Sequence, residues 1–310
     1  MIENTAPDHI HYTIYQPPGT AIKAAVLVLH GMQEHSGRYE DFANYLKTRG
    51  YAVLAYDHIG HGHTAKAKAE LGFFRADDPG GRLVEDAERM LHFIAQRFAG
   101  ERLILMGHSM GSFVARLLLK KVPQCFAGAI LMGTGGPNPL AALFRPVLAL
   151  ANLTSPQRRS KQLNELFLRI NNRKFRHENP NDGTNWLSAD LANRKAFLQD
   201  ELCGVNFSNN AFFGLISVNV EATKSNWAES LSKNMPLLFV SGANDPIGDF
   251  GKGVMKTVQA LRERGFERVE LKLYPGMRHE ILNEGDRKLV FDDIVAWLEK
   301  TAVRPPQRKE

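Results

Sequence analysis

The chain is expected to fold as an α/β protein with a mostly parallel central sheet covered by helices on both faces. Two observations predict this. Short, unbroken apolar runs recur along the sequence, separated by segments whose apolar residues fall at helical spacing. One of those runs leads into Gly107-His108-Ser109-Met110-Gly111 and then directly into a helix-like stretch. Unbroken apolar runs are the signature of strands buried on both faces, and alternation of strand with helix makes neighbouring strands parallel.

The elements follow in order. Residues 11–15 alternate like an edge strand and end at Pro17-Pro18-Gly19, and residues 24–29 form the first buried strand. A helix over 39–49 stops at Gly50, and 52–56 is the next strand. A helix over 83–98 carries Val84, Ala87, Leu91 and Ile94 on one face. Residues 102–106 are the strand before the turn, and the helix after it runs from Ser112 until Pro123 stops the segment. Strands are expected at 127–132, 237–241 and 269–273, with a closing helix over 288–300. Between Gly133 and Leu237 the rhythm is lost for roughly a hundred residues, too long for a loop without structure of its own. Residues 137–232 are therefore expected to form a mostly helical cap on a core made of 1–136 and 233–310.

The pentapeptide at Ser109 has the Gly-x-Ser-x-Gly pattern in strand–turn–helix context, the nucleophile elbow of the α/β-hydrolase fold. So tight a turn strains the serine and tolerates little bulk beside it, which Gly107 and Gly111 satisfy. In this fold the acid and then the histidine follow the serine in the chain. Of eleven histidines only His177 and His279 come after Ser109. His279 follows a strand and a Pro275-Gly276 loop, whereas His177 lies in a polar segment with no strand to position it. Asp245 falls just past the strand at 237–241. Asp249, four residues on, reads better as a helix cap or a solvated loop acid. The expected triad is Ser109, Asp245 and His279.

A serine hydroxyl attacks an acyl carbon only if an imidazole takes its proton, and that imidazole needs a carboxylate to hold its tautomer. The oxyanion requires donors too. The backbone N–H of Met110, at the helix start, is expected to supply one, and that of Met32, after His30-Gly31, the other. This chemistry needs no cofactor and no metal.

Four stretches then carry a family resemblance. His30-Gly31-Met32-Gln33-Glu34-His35-Ser36-Gly37-Arg38-Tyr39 is similar to the H-G-x-x-E-H-S-x-R-Y loop of monoacylglycerol lipases and bacterial lysophospholipase-like hydrolases of the serine aminopeptidase S33 type. Asp57-His58-Ile59-Gly60-His61-Gly62-His63 resembles their next loop, and the elbow matches theirs, His108 and Met110 included. The ending His279-Glu280-Ile281-Leu282-Asn283-Glu284 fits the bacterial members. Ser112 departs from the glycine common at that position. The resemblance implies a serine hydrolase of carboxylic esters, acting on a monoacylglycerol or related lipid. A short-chain carboxylesterase, an aminopeptidase and a silent ligand-binding relative remain open. No acidic pair for a substrate amine is readable, which counts against the peptidase.

The remaining features bound the partners. The chain has 310 residues, 44% of them hydrophobic, and a formal charge of +6. Its basic residues are dispersed apart from Arg158, Arg159, Lys161 and the tail 304–309, which is expected to be frayed. No basic array is interleaved with aromatics, so no nucleic-acid partner is expected. Cys125 and Cys203 form no paired motif, and the first eight residues carry no leader pattern; a cytoplasmic setting is the expectation. The apolar run 139–150 is expected to pack as a cap helix, with Leu143 and Phe144 guiding an acyl chain or touching a membrane surface transiently. Phe212, Phe213 and Ile216 are expected to line the acyl pocket. His279-Glu280-Ile281-Leu282-Asn283 lacks the second histidine of a zinc helix. His58, His61 and His63 read as loop hydrogen-bonding groups rather than metal ligands.

Overall fold

A computed structural model describes residues 9–19 and 21–302. The first eight residues, read above for a leader, and the basic tail 304–309 lie outside them. Seven strands form one sheet: β1 (Tyr12–Tyr15), β2 (Ala24–Leu29), β3 (Tyr51–Tyr56), β4 (Leu103–His108), β5 (Gly128–Met132), β6 (Leu237–Gly242) and β7 (Val269–Tyr274). Their order across the sheet is β1-β3-β2-β4-β5-β6-β7. Only β1 runs antiparallel, pairing Tyr12 with Tyr56 on the edge. The registers Leu29 with Gly107, His108 with Met132 and Gly242 with Tyr274 align the carboxyl ends of five strands along one rim.

Strands β2 to β6 are buried along their whole length, as unbroken apolar runs require. One face is covered by α1 (Glu40–Thr48) and α9 (Arg287–Ala302), through Phe42, Leu46, Ile294 and Leu298. The other is covered by α2 (Pro79–Arg97), α3 (Met110–Lys121) and α8 (Lys252–Glu263). Helix α2 starts where Asp78 accepts from the Gly81 N–H, with Pro79 preset for the first turn, and buries Leu83, Ala87, Met90, Leu91 and Ile94.

Between β5 and β6 the chain forms α4 (Pro139–Thr154), α5 (Lys161–Asn171), α6 (Leu191–Gln199) and α7 (Asn209–Ala222). Phe212, Leu215, Val218 and Ala222 of α7 join the same apolar cluster as α2 and α3. A second, smaller cluster holds Phe175, Trp186, Leu187, Phe197 and Cys203. No helix among the described residues is long and apolar enough to cross a membrane.

Candidate active site

The elbow is a direct consequence of close packing. A Cβ on Gly107 would lie 2.3 Å from the Gly111 carbonyl oxygen, and one on Gly111 would lie 2.2 Å from that of Leu29. Only glycine fits where helix α3 springs so sharply from β4. Ser109, between them, takes φ 52° and ψ −119°, a conformation an L-residue holds only when its surroundings enforce it. They do: its N–H donates to Met132 O at 3.0 Å, and its carbonyl accepts from the Ser112 hydroxyl at 2.6 Å. Ser112 thus closes the first turn of α3 with a bond that glycine could not make.

The loops after β6 and β7 meet beside this turn. Asp245 is fully buried, and its Oδ2 accepts from His279 Nδ1 at 2.9 Å and from the Ser241 hydroxyl at 3.3 Å, while Oδ1 accepts from the Ile247 N–H at 2.9 Å. Asp249 is exposed, with φ 50° in the turn before α8, and Gly251 rather than Asp249 precedes the helix. It is the solvated loop acid of the two expected readings, not the cap. His177 is exposed in the segment before α6. The ring of His279 stacks at 4.9 Å on Trp186, and the ring of His108, the residue before Ser109, lies 4.7 Å away on another side.

A polar network that the sequence does not reveal as a unit binds the three loops together, with His108, expected only to pack beside the elbow, at its centre. Glu34 Oε1 accepts from the Gly31 N–H at 2.5 Å, from the Tyr39 hydroxyl at 2.9 Å and from His108 Nδ1 at 2.9 Å. Nε2 of His108 contacts the His279 carbonyl at 3.2 Å. Arg38 bridges Glu34 Oε2 at 3.7 Å to Glu280 Oε2 at 2.6 Å. Glu284 in turn accepts from the Arg278 N–H at 2.9 Å and from the Ser188 hydroxyl at 2.8 Å. Burial alone would raise the Glu34 pKa, but the His108 bond and charge, with His30 and Arg38, hold it well below the carboxylate range. Burial likewise opposes a charged His108, and Glu34 outweighs it, so that pKa is raised. The only sequence signal was the charge-bearing loop motif itself, since Glu34 and His108 are 74 residues apart.

The amides of Met32 and Met110 flank the Ser109 cavity, and neither has a hydrogen-bond acceptor among the described residues. The cavity has a volume of about 150 Å³ and is walled by Phe113, Phe167, Leu215, Ile216 and Ile247. Of the five residues expected to line an acyl pocket, Ile216 does. Leu143 and Phe144 are 70% and 51% exposed on the outer side of α4, and that expectation is corrected. Helix α4 is apolar nearly all round, so its periodicity does not reveal which side faces inward; Ala141 and Leu148 do. Phe212 is corrected as well: one turn before Ile216, it packs into the core on Phe207 at 5.7 Å and Phe167 at 6.4 Å. Phe213 is half-buried against the same core and outside the cavity wall.

The second loop is packed rather than poised. His58 N–H donates to His30 Nε2 at 2.9 Å, and the His61 ring sits 5.5 Å from Phe74 and 5.4 Å from Phe207. His63 is exposed, its ring 4.9 Å from His11. Burial lowers the pKa of His30, outweighing Asp57 and Glu34, and lowers that of His58 further, with the charges of His30 and His61 adding. Burial, helped by His30, pushes His61 down to about 3. Each such ring takes up a proton on unfolding between its folded pKa and the free value of about 6.5. Their stabilising effect is therefore complete above pH ~6.5 and is lost as pH falls toward the folded values. His108, its pKa raised, acts in the opposite sense, with its contribution full below ~6.5 and lost at higher pH. With three rings against one, the melting temperature is expected to fall steadily from pH 7 to pH 4.5. The fall should be shallower in His61→Phe; an unchanged slope there would remove His61 from this account.

Fold and elbow together define an α/β hydrolase. The chain belongs to the serine aminopeptidase S33 family, whose model matches residues 20–286. It is 27% identical over 309 residues to a monoglyceride lipase homolog of Monkeypox virus, covering 95% of this chain and 96% of that one. It is 24% identical to the monoacylglycerol lipase of Mycolicibacterium smegmatis, covering 96% and 99%. Among solved structures, a thermostable carboxyl esterase from Bacillus coagulans in complex with glycerol superposes with a TM-score of 0.86, at 27% identity over 95% of this chain and 94% of that one.

Proposed function

We propose that this hydrolase cleaves monoacylglycerols or closely related esters through an acyl-serine intermediate, under the cap formed by 137–232. Ser109 Oγ attacks the ester carbonyl carbon while His279 takes its proton. Asp245, bonded to Nδ1, holds the tautomer that leaves Nε2 free to accept. The oxyanion is received by the amides of Met32 and Met110, the latter at the positive end of α3. His279 then protonates the leaving alcohol as the tetrahedral intermediate collapses, and a water repeats the sequence to release the acid.

The observation that carries the ester reading over the peptidase in the family's name is the lining of the Ser109 cavity. Among the described residues it has no carboxylate to hold a substrate amine, only apolar side chains with Asn138 and Asn219. The names of the two relatives and the esterase point the same way. A short-chain ester is the second reading, and the volume favours it: about 150 Å³ is below the ~300–1,000 Å³ of ordinary ligand pockets. A long chain requires the cap to open. The test is hydrolysis of monooleoylglycerol, tributyrin and an aminoacyl-naphthylamide. Monooleoylglycerol is expected to be cleaved fastest. Preference for tributyrin would assign the short-chain reading, and cleavage of the naphthylamide alone would overturn the ester reading.

The outer side of α4 supports a lipid-surface contact. Leu140, Leu143, Val147, Leu150 and Leu153 stand exposed on it, with Leu166 and Ile170 on α5. Leu143→Asp with Phe144→Asp is expected to reduce flotation with liposomes strongly while sparing hydrolysis of a soluble ester. Unchanged flotation would discard the contact. Cys125 and Cys203 are both unpaired, in keeping with a reducing, cytoplasmic setting.

A further inference from the structure

Helix α3 carries a charge that the hydrolytic machinery does not use. Arg116 is fully buried, and its guanidinium lies 5.1 Å from the Trp227 ring and 5.8 Å from each of Phe113 and Phe239. Its one hydrogen bond is long, Nη1 to the Ala222 carbonyl at 3.5 Å, and Nε and Nη2 have no partner. No carboxylate pairs with it among the described residues. Burial pushes its pKa down to about 9. An unpaired guanidinium is costly to bury, and aromatic faces offset only part of that cost.

Arg116 lines a cavity of about 300 Å³ separate from the one at Ser109. Lys224, Lys256 and Arg264 line it too, and no acidic residue does; the rest of the wall is mainly apolar, including Pro137, Trp227 and Leu261. Lys224 pairs with Glu221 outside the cavity at 2.6 Å, and Arg264 donates to the Ser225 carbonyl. Lys256 is exposed and has no acidic partner among the described residues. We propose that this cavity is a second ligand site, which takes a carboxylate carried on a short apolar chain. The carboxylate is attracted by Lys256 at the mouth and by the uncompensated charge of Arg116, whose free nitrogens lie just beneath the wall, while the chain lies on Trp227 and Leu261. A bare oxyanion would leave the apolar wall unused, and a neutral chain would leave the buried charge uncompensated. The volume suits such a molecule. The site also adjoins the hydrolytic one through Phe113, which touches the guanidinium and walls the Ser109 cavity.

The experiment is equilibrium dialysis of the full chain against labelled octanoate below its micellar concentration, with inorganic phosphate and 1-octanol as competitors. Octanoate is expected to bind, neither competitor to displace it at equal concentration, and binding to weaken about tenfold or more in Arg116→Met and in Lys256→Glu. Arg116→Met removes the buried charge while keeping an apolar side chain of similar length. Lys256→Glu changes an exposed position and leaves the core untouched. Neither residue lines the Ser109 cavity, so octanoate held there as a hydrolysis product is unaffected by both. Undiminished binding in both variants, or displacement by phosphate or octanol as readily as by unlabelled octanoate, would overturn the site. The outcome is independent of whether Ser109 proves to be the nucleophile.

Discussion

Replacing Ser109 with alanine is expected to lower turnover by on the order of a million-fold and to abolish covalent labelling by a fluorophosphonate. The size follows from the way the parts depend on one another. Without Oγ there is no acyl-enzyme, and the imidazole and carboxylate behind it have nothing to activate. His279→Ala is therefore expected to cost a similar amount, and Ser109→Ala with His279→Ala little more than either alone. Asp245→Asn should cost somewhat less, since its amide disturbs the tautomer of His279 and leaves the nucleophile present. On the proposed mechanism, the residual rate in Ser109→Ala is what the Met32 and Met110 amides and substrate binding achieve without the nucleophile. Turnover in Ser109→Ala within tenfold of the unaltered chain, measured with monooleoylglycerol, would remove Ser109 from the mechanism.

The second large effect is expected at Glu34, a positioning residue. Glu34→Ala strips the partner from the Gly31 N–H, the Tyr39 hydroxyl and His108 together, all of them buried. Removing one partner of such a buried set costs roughly 3–5 kcal/mol, a large share of the ~5–15 kcal/mol that keeps a domain folded. It also frees the Gly31-Met32 turn, which carries the proposed Met32 oxyanion donor. A misplacement near 1 Å is enough for about a hundredfold loss in kcat, with KM little changed because the acyl wall is untouched. Glu34→Gln retains an acceptor for Gly31 and should recover most of kcat. It removes the charge that most raises the His108 pKa, which should therefore fall. Urea melts and a kcat-against-KM comparison test this pair. Equal kcat in Glu34→Ala and the unaltered chain would reduce Glu34 to a purely structural group.

The exposed side of α4 and the inward side of α7 show where a linear reading loses its hold. Periodicity separates faces only when one face is polar, and α4 offers Leu, Ala, Phe and Val nearly all round. On α7 the cavity takes Leu215, Ile216 and Asn219, a turn beyond the phenylalanines that composition alone favours. The charged residues are harder still. Nothing local sets Arg116 apart from the other arginines, because what isolates it comes from Trp227, Phe239 and Ala222, more than a hundred residues away.

The strands, their parallel order of appearance and the seat of Ser109 at a strand end were legible in one dimension. A strand buried on both faces must be apolar without interruption, and a turn that tolerates no Cβ must be glycine on both sides. Asp245 and His279 were readable as candidates from their order after Ser109 and their places in the loops that follow β6 and β7, and the fold brings them to 2.9 Å. The tertiary structure alone decided which apolar side chains wall the cavity, how Glu34, His108 and Glu280 bind three loops into one frame, and which arginine is buried without a counter-charge. Those outcomes depend on distances between segments far apart in the chain, and the summed packing that sets them leaves no periodic trace in the sequence.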